Sequence, residues 1–158
     1  GVLNSRLSSF WFINKFDKLQ RGTFPQFKVK ELAIFPIPEA TPEQQLQVAR
    51  LVTEMQSAQQ QLKALTEDFK LLAMRSFGSA TWPKSYTAWW ELDKPAFLTA
   101  LPSSLPMASR EEMLDLFTRR QPDLIRANES IAGLDAQLDA LVEYLFGLSA
   151  EESKLIHS

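Results

Sequence analysis

Two stretches of this sequence repeat apolar residues at alternating intervals of three and four. Leu51, Met55, Ala58, Leu62, Leu65, Phe69 and Leu72 form the first. Leu124, Ala127, Ile131, Leu134, Leu138, Leu141, Leu145 and Leu148 form the second. Such spacing keeps one stripe of a helix apolar over many turns, the heptad pattern of coiled coils. Thr41-Pro42-Glu43-Gln44 supplies start signals for the first helix: a capping threonine, a proline where no amide hydrogen is needed, and a glutamine able to reach back. No breaker follows before Gly78, so a helix is expected over 42–77, roughly 50 Å long at the rise of an α-helix. For the second, Ser109-Arg110-Glu111-Glu112 offers a capping box and Gly147 a C-terminal stop, giving a helix over 110–146. Pro122 is expected to kink or restart it. Ser149-Ala150-Glu151-Glu152 then begins a short helix over 150–156.

The remaining segments have other textures. Over residues 2–16, Leu3, Leu7, Phe10 and Trp11 fall at helical spacing and predict an aromatic-rich amphipathic helix. Arg21-Gly22 and Pro25 mark a loop. FKVKEL alternates, Phe27 and Val29 against Lys28 and Lys30, which predicts a short half-exposed strand. AIFPIPEA reads as extended, because each proline disfavours helical geometry in the residue before it. The aromatic connector 79–108 holds Trp82, Tyr86, Trp89, Trp90 and Phe97. One short helix is expected within it, capped by Asp93, with Pro95 in its first turn and Pro102 as its stop.

An apolar stripe of this length is too costly to leave in water, and the connector leaves room for the chain to turn back. The expected fold is therefore mainly α: a long antiparallel, coiled-coil-like helical hairpin carrying a small α+β element at its N-terminus. The domains expected are 1–40 and 41–158. The alternative is that one or both seams pair with another chain, which would make this a helical protein-interaction module without direct DNA contact.

Charge adds an asymmetry. Residues 1–32 hold six basic side chains against two acidic ones, a net +4, although the whole chain is at −2. A basic head on an acidic body suits contact with a polyanion at one end. The absence of cysteine excludes a disulfide framework and a cysteine-ligated zinc site, and it suits the cytoplasm. No apolar run is long enough to cross a membrane. No signal-peptide pattern opens the chain, and its start at Gly1 rather than Met reads as a piece of a longer protein.

Catalytic chemistry is not legible. The single histidine, His157, lies at the chain end and is expected to be solvated, so no serine is paired in sequence with an internal base. The five glycines are scattered and form no phosphate loop. Glu111-Glu112 and Glu151-Glu152 sit where first helical turns favour acids, which accounts for them without a metal. The segment suited to binding is 15–30. Lys15, Lys18, Arg21, Lys28 and Lys30 would supply phosphate contacts. Gln20, Arg21 and Gln26 have the donors and acceptors to meet base edges, with Thr23 as a further polar reader. The same lysines also suit a solvated edge strand. Trp82, Trp89 and Trp90 suit either base stacking or a small core.

The order of these features resembles a known family. Leu3-Asn4-Ser5 leads to Arg21-Gly22-Thr23-Phe24, then to Leu32 and Pro36-Ile37-Pro38, then to the Pro42-Glu43-Gln44 helix start. The chain closes with LDALVEYLFGLSAEE, Leu138–Glu152. This is similar to the C-terminal, TaqI-like target-recognition region of Type IIG restriction–modification enzymes and related adenine-specific DNA methyltransferases. The passage from Pro36-Ile37-Pro38 into the long helix is also similar to the specificity subunits of Type I restriction systems. Glu143 and Phe146 depart from the pattern, standing where such endings often carry tyrosine. The resemblance implies a DNA-specificity and scaffold segment, non-catalytic by itself, with double-stranded DNA and an upstream methyltransferase domain as partners. The parent would transfer a methyl group from S-adenosylmethionine to the exocyclic amine of adenine, in some relatives beside a nuclease domain. Neither an Asn/Asp-Pro-Pro-Tyr/Phe run nor a glycine-rich cofactor motif lies in this sequence, so no cofactor is expected within it. Self-association through the heptad seams is the remaining partner expectation.

Overall fold

A computed structural model describes residues 1–16, 29–77 and 88–157. It is mainly α, with no strand among the described residues. A single 3-10 turn, Val2–Asn4, precedes α1 (Arg6–Phe16) and α2 (Val29–Leu32). The long helices are α3 (Pro42–Phe77) and α5 (Met107–Leu145), with a 3-10 turn at Trp89–Glu91 and α4 (Lys94–Ala100) between them. Last comes α6 (Ala150–His157). The described residues group into two compact units. One comprises Gly1–Met55 with Gly133–Ser158, the other Gln56–Ala132, so α3 and α5 contribute to both.

Local chemistry accounts for most of the helix ends. At the start of α3, Thr41 Oγ1 accepts from the Gln44 amide at 3.3 Å and Gln44 Oε1 accepts from the Thr41 amide at 2.8 Å, a reciprocal capping box. Ser149 and Glu152 repeat it before α6, at 3.3 and 2.8 Å. Asp93 caps α4 by accepting from the Ala96 amide at 2.7 Å, with Pro95 in the first turn. Gly147 stops α5 at φ +69, where the Leu148 amide donates to Glu143 O and the Gly147 amide to Tyr144 O. That pair of bonds is a Schellman ending, and its left-handed residue favours glycine.

Four sequence expectations are corrected. The strand over 27–32 is, where described, the helical turn α2, with the Ala33 amide bonded to Val29 O at 3.0 Å. A lone strand needs a neighbour for its backbone groups, whereas a helical turn satisfies them internally. Burial does not follow the alternation either: Val29 and Lys30 are both exposed, while Glu31, which a strand would place on the side of Val29, is buried. Next, α5 starts at Met107, so Ser109 lies within the helix and its capping box is unused. Arg110 instead folds back onto Pro102 O (2.9 Å) and Leu105 O (3.3 Å). Of the kink or restart expected at Pro122, the restart does not occur, since α5 runs through it as one helix. The proline forgoes one backbone hydrogen bond, while Met113, Phe117 and Leu124 around it are fully buried and hold the helix in place. Finally, α1 buries Ser8 and Phe12, with Ser5 just ahead of it, rather than a stripe through Leu3 and Phe10, which are exposed. Ser5 is free to be inside because its hydroxyl donates to Val2 O at 2.8 Å, and Ser8 because its hydroxyl donates to the same oxygen at 2.6 Å.

In the first unit, Phe35 fills the space beside α1. Its ring stacks on Phe12 (5.5 Å between centroids) and meets Trp11 edge-on at 5.1 Å and Phe146 at 6.0 Å. Gly1 sits so close to α3 and α5 that a Cβ there would lie 2.9 Å from Val48 and 3.2 Å from Val52. The second unit is built on the aromatic connector. Trp89 stacks on Phe69 at 3.5 Å and Phe97 on Phe117 at 4.2 Å, all four fully buried. Gln121 of α5 fixes the connector by donating to Trp90 O and Leu92 O, both at 2.8 Å. Trp89 is therefore core in this unit, while Trp82 and Tyr86 lie outside the described residues.

Phe117→Ala is expected to destabilise the chain by about 3–5 kcal/mol in urea unfolding followed by tryptophan fluorescence, whereas Leu71→Ala on the exposed side of α3 costs under about 0.5 kcal/mol. Equal effects would show that the aromatic cluster is not the centre of this unit.

Candidate nucleic-acid interface

Of the eight residues expected to touch DNA, the structure describes two. Lys15 lies in the last turn of α1 and Lys30 in α2, both exposed. Lys18, Gln20, Arg21, Thr23, Gln26 and Lys28 lie outside the described residues. The described cations therefore stand on either side of the segment expected to read DNA, each on a helix.

What fixes α1 is a polar cluster that the sequence did not reveal. Asp139 and Glu143 sit one turn apart on α5, both buried. Asp139 Oδ1 accepts from the backbone N–H of Arg6, the first residue of α1, at 2.9 Å. Its other oxygen lies 3.4 Å from the Arg6 guanidinium. A carboxylate at the open N–H end of a helix offsets the unpaired donors and the positive end of the dipole there. Ser5, just ahead, accepts from the Ser8 amide at 3.2 Å, so α1 is capped both locally and from α5.

Glu143 serves α6 in the same way. Ser153 Oγ donates to Glu143 Oε2 at 2.5 Å, and His157 Nε2 lies 2.8 Å from Oε1. The other imidazole nitrogen is 3.1 Å from Arg6 Nη1. A guanidinium can only donate, so Nδ1 accepts and the proton is assigned to Nε2, pointing at Glu143. His157 is exposed, as expected from its position, yet it is not a free tail residue: its ring joins α6 to Arg6 of α1 and Glu143 of α5. Burial pushes the Glu143 carboxyl up. The hydrogen bonds from Ser153 and His157, with the charge of Arg6 nearby, outweigh that and hold it below its ordinary value.

This constellation contains a serine, a histidine and a carboxylate, but not in a catalytic order. Nucleophile activation requires the imidazole to take the serine proton with the carboxylate behind it. Here the carboxylate stands in the middle and receives both protons, which suits a docking contact between helices. The signal that could have found it is weak: Asp139 and Glu143 are acids beside the apolar positions Leu138 and Val142, and only Glu143 departs from the resembled pattern.

Because Glu143 titrates below 4.5 in the folded chain, its stabilising effect is full above that value and is lost as pH falls through the lowered one. Glu143→Gln is expected to cost about 1–3 kcal/mol at neutral pH. The gap between variant and unmodified chain should close during acid titration below pH 4.5, read by thermal melts. A gap independent of pH would exclude the ionised carboxylate as its source.

No curated protein and no solved structure matches the chain. A family model does match, over residues 41–142, and its description is Domain of unknown function (DUF8810). The match opens on Thr41, the cap residue of α3.

Proposed function

The chain belongs to the DUF8810 family, and within that frame we propose, on the motif order and the placement of its cations, that it is a DNA-specificity and scaffold segment of a restriction–modification type adenine methyltransferase. In this reading residues 1–40 touch double-stranded DNA and residues 41–158 hold them in position. Catalysis and S-adenosylmethionine belong to an upstream domain of the same protein, and the segment is non-catalytic by itself. The observation that carries the reading is the exposed pair Lys15 and Lys30 at the two ends of segment 15–30, the first of them on α1, whose other end Asp139 ties down. A basic segment presented from an anchored helix can keep one orientation on a duplex, which sequence reading requires. The order of motifs from Leu3-Asn4-Ser5 to the closing LDALVEYLFGLSAEE supports the same context.

The scaffold, in this proposal, is an intrachain antiparallel hairpin of α3 and α5. Supporting it, the first unit brings Val48 and Val52 of α3 near Leu138 of α5 around Gly1, the start of one helix beside the end of the other. In the second unit Asp68 of α3 pairs with Arg120 of α5 at 2.8 Å, the end of one beside the earlier part of the other. Every heptad position of both seams is buried or half-buried within the chain. That favours seams satisfied internally over seams awaiting a partner.

Arg21→Glu combined with Lys28→Glu is expected to weaken duplex binding by roughly tenfold or more and to reduce the slope of log affinity against log salt by about two, measured by fluorescence anisotropy. Unchanged affinity and slope would sink the assignment of this segment as the DNA surface.

A further inference from the structure

Within the second unit, α3 and α5 line an open groove of about 600 Å³. Leu72, Arg75 and Ser76 come from α3, and Leu116, Arg119 and Arg120 from α5. Steps of three and four place each set along one side of its helix. Glu112 is the single acid in the lining, beside three guanidiniums, two of which have carboxylate partners just outside it.

The three arginines are not equivalent. Arg120 pairs with Asp68 at 2.8 Å and Arg119 with Asp115 at 2.8 Å. Each pair orients a guanidinium and leaves other N–H groups of its planar fork able to donate. Arg75, exposed in the last turn of α3, makes no ion pair among the described residues. Among the described residues it is the groove arginine whose charge is least compensated.

The groove is too open to enclose a small molecule, since such sites bury most of the ligand surface. A polyanion with charges repeated along its length has no such need, because it gains by releasing counterions at each contact. Two leucines on the floor suit the apolar faces of deoxyribose, while forked guanidiniums suit phosphate oxygens in pairs. We infer that this groove takes the phosphodiester backbone of a DNA duplex, with Arg75 as the principal phosphate ligand and Arg119 and Arg120 flanking it. The inference rests on the DNA reading above and extends it: the helical scaffold itself touches the duplex, independently of segment 15–30.

The test uses the whole chain, a fluorescein-labelled random-sequence duplex and anisotropy across a salt series. Arg75→Glu is expected to weaken binding about tenfold at low salt and to lower the salt slope by about one, while Arg75→Lys, which keeps a phosphate-binding charge, retains most of the affinity. Combined with Arg21→Glu and Lys28→Glu, the losses should multiply, as for independent sites. Circular dichroism checks that each variant remains helical. If Arg75→Glu binds as well as the unmodified chain while Arg21→Glu/Lys28→Glu does not, the groove assignment is overturned and the DNA reading stands; the groove would then suit an acidic helix. Equal losses in Arg75→Lys and Arg75→Glu also overturn it, because charge would not be the cause. If the unmodified chain binds no duplex at low salt, both fall together.

Discussion

Two helices of 36 and 39 residues carry apolar stripes that water does not tolerate, and covering those stripes governs the rest of the structure. Helical propensity alone is weak support at any length; packing of the apolar face supplies most of a helix's stability. The consequence is visible at Pro122. A proline inside a helix removes a backbone bond, yet α5 continues through it because fully buried Met113, Phe117 and Leu124 lie on either side. The connector is drawn in by the same demand. Trp89, Phe97, Leu101 and Leu105 leave the surface to complete a core with Phe69 and Phe117.

Beside this apolar framework, the polar cluster of the first unit supplies direction. Hydrophobic burial is non-directional and permits a helix to slide or rotate. Asp139 removes that freedom for α1 by accepting from the backbone at its first residue, and Glu143 does so for α6 through Ser153 and His157. Both acids are buried, and both have charged or hydrogen-bonded partners that offset their desolvation. Anchoring α1 in this way gives Lys15, at its far end, a defined starting point for the basic segment that follows.

The functional proposals share one physical theme, the placement of cations on helices. Lys15 and Lys30 stand beside the proposed reading segment, and Arg75 stands at the end of α3 over a leucine-floored groove. The proposed contacts differ in character. Segment 15–30 has glutamines and a threonine beside its charges, so it has groups suited to base edges. The groove is lined mainly by arginines and leucines, which suit backbone contacts. Division of labour between positioning and reading is what a scaffold joined to a recognition segment would need.

Patterns that act within a few residues were legible in the sequence. Thr41, Asp93, Ser149 and Gly147 mark helix ends by bonds they make to their own neighbours, so α3, α4, α6 and the end of α5 could be read off directly. The heptad spacing likewise determined which faces of α3 and α5 lie inside. Segment 29–32 departs from its alternation because alternation reports only which side chains differ, while a strand also requires a partner strand, and there is none among the described residues. Ser109 was misread because a capping box is an option that Pro106 and the folded-back Arg110 preempt. The cluster of Arg6, Asp139, Glu143, Ser153 and His157 spans up to 151 positions of sequence, and no local rule links its members. Nor does any local rule bring Arg75 beside Arg119 and Arg120. The sequence by itself determined the helices and their buried stripes, because those follow from bonds and spacings within a turn or two. Only the tertiary structure decided which charges meet, because that depends on which helices the burial of apolar surface brings side by side.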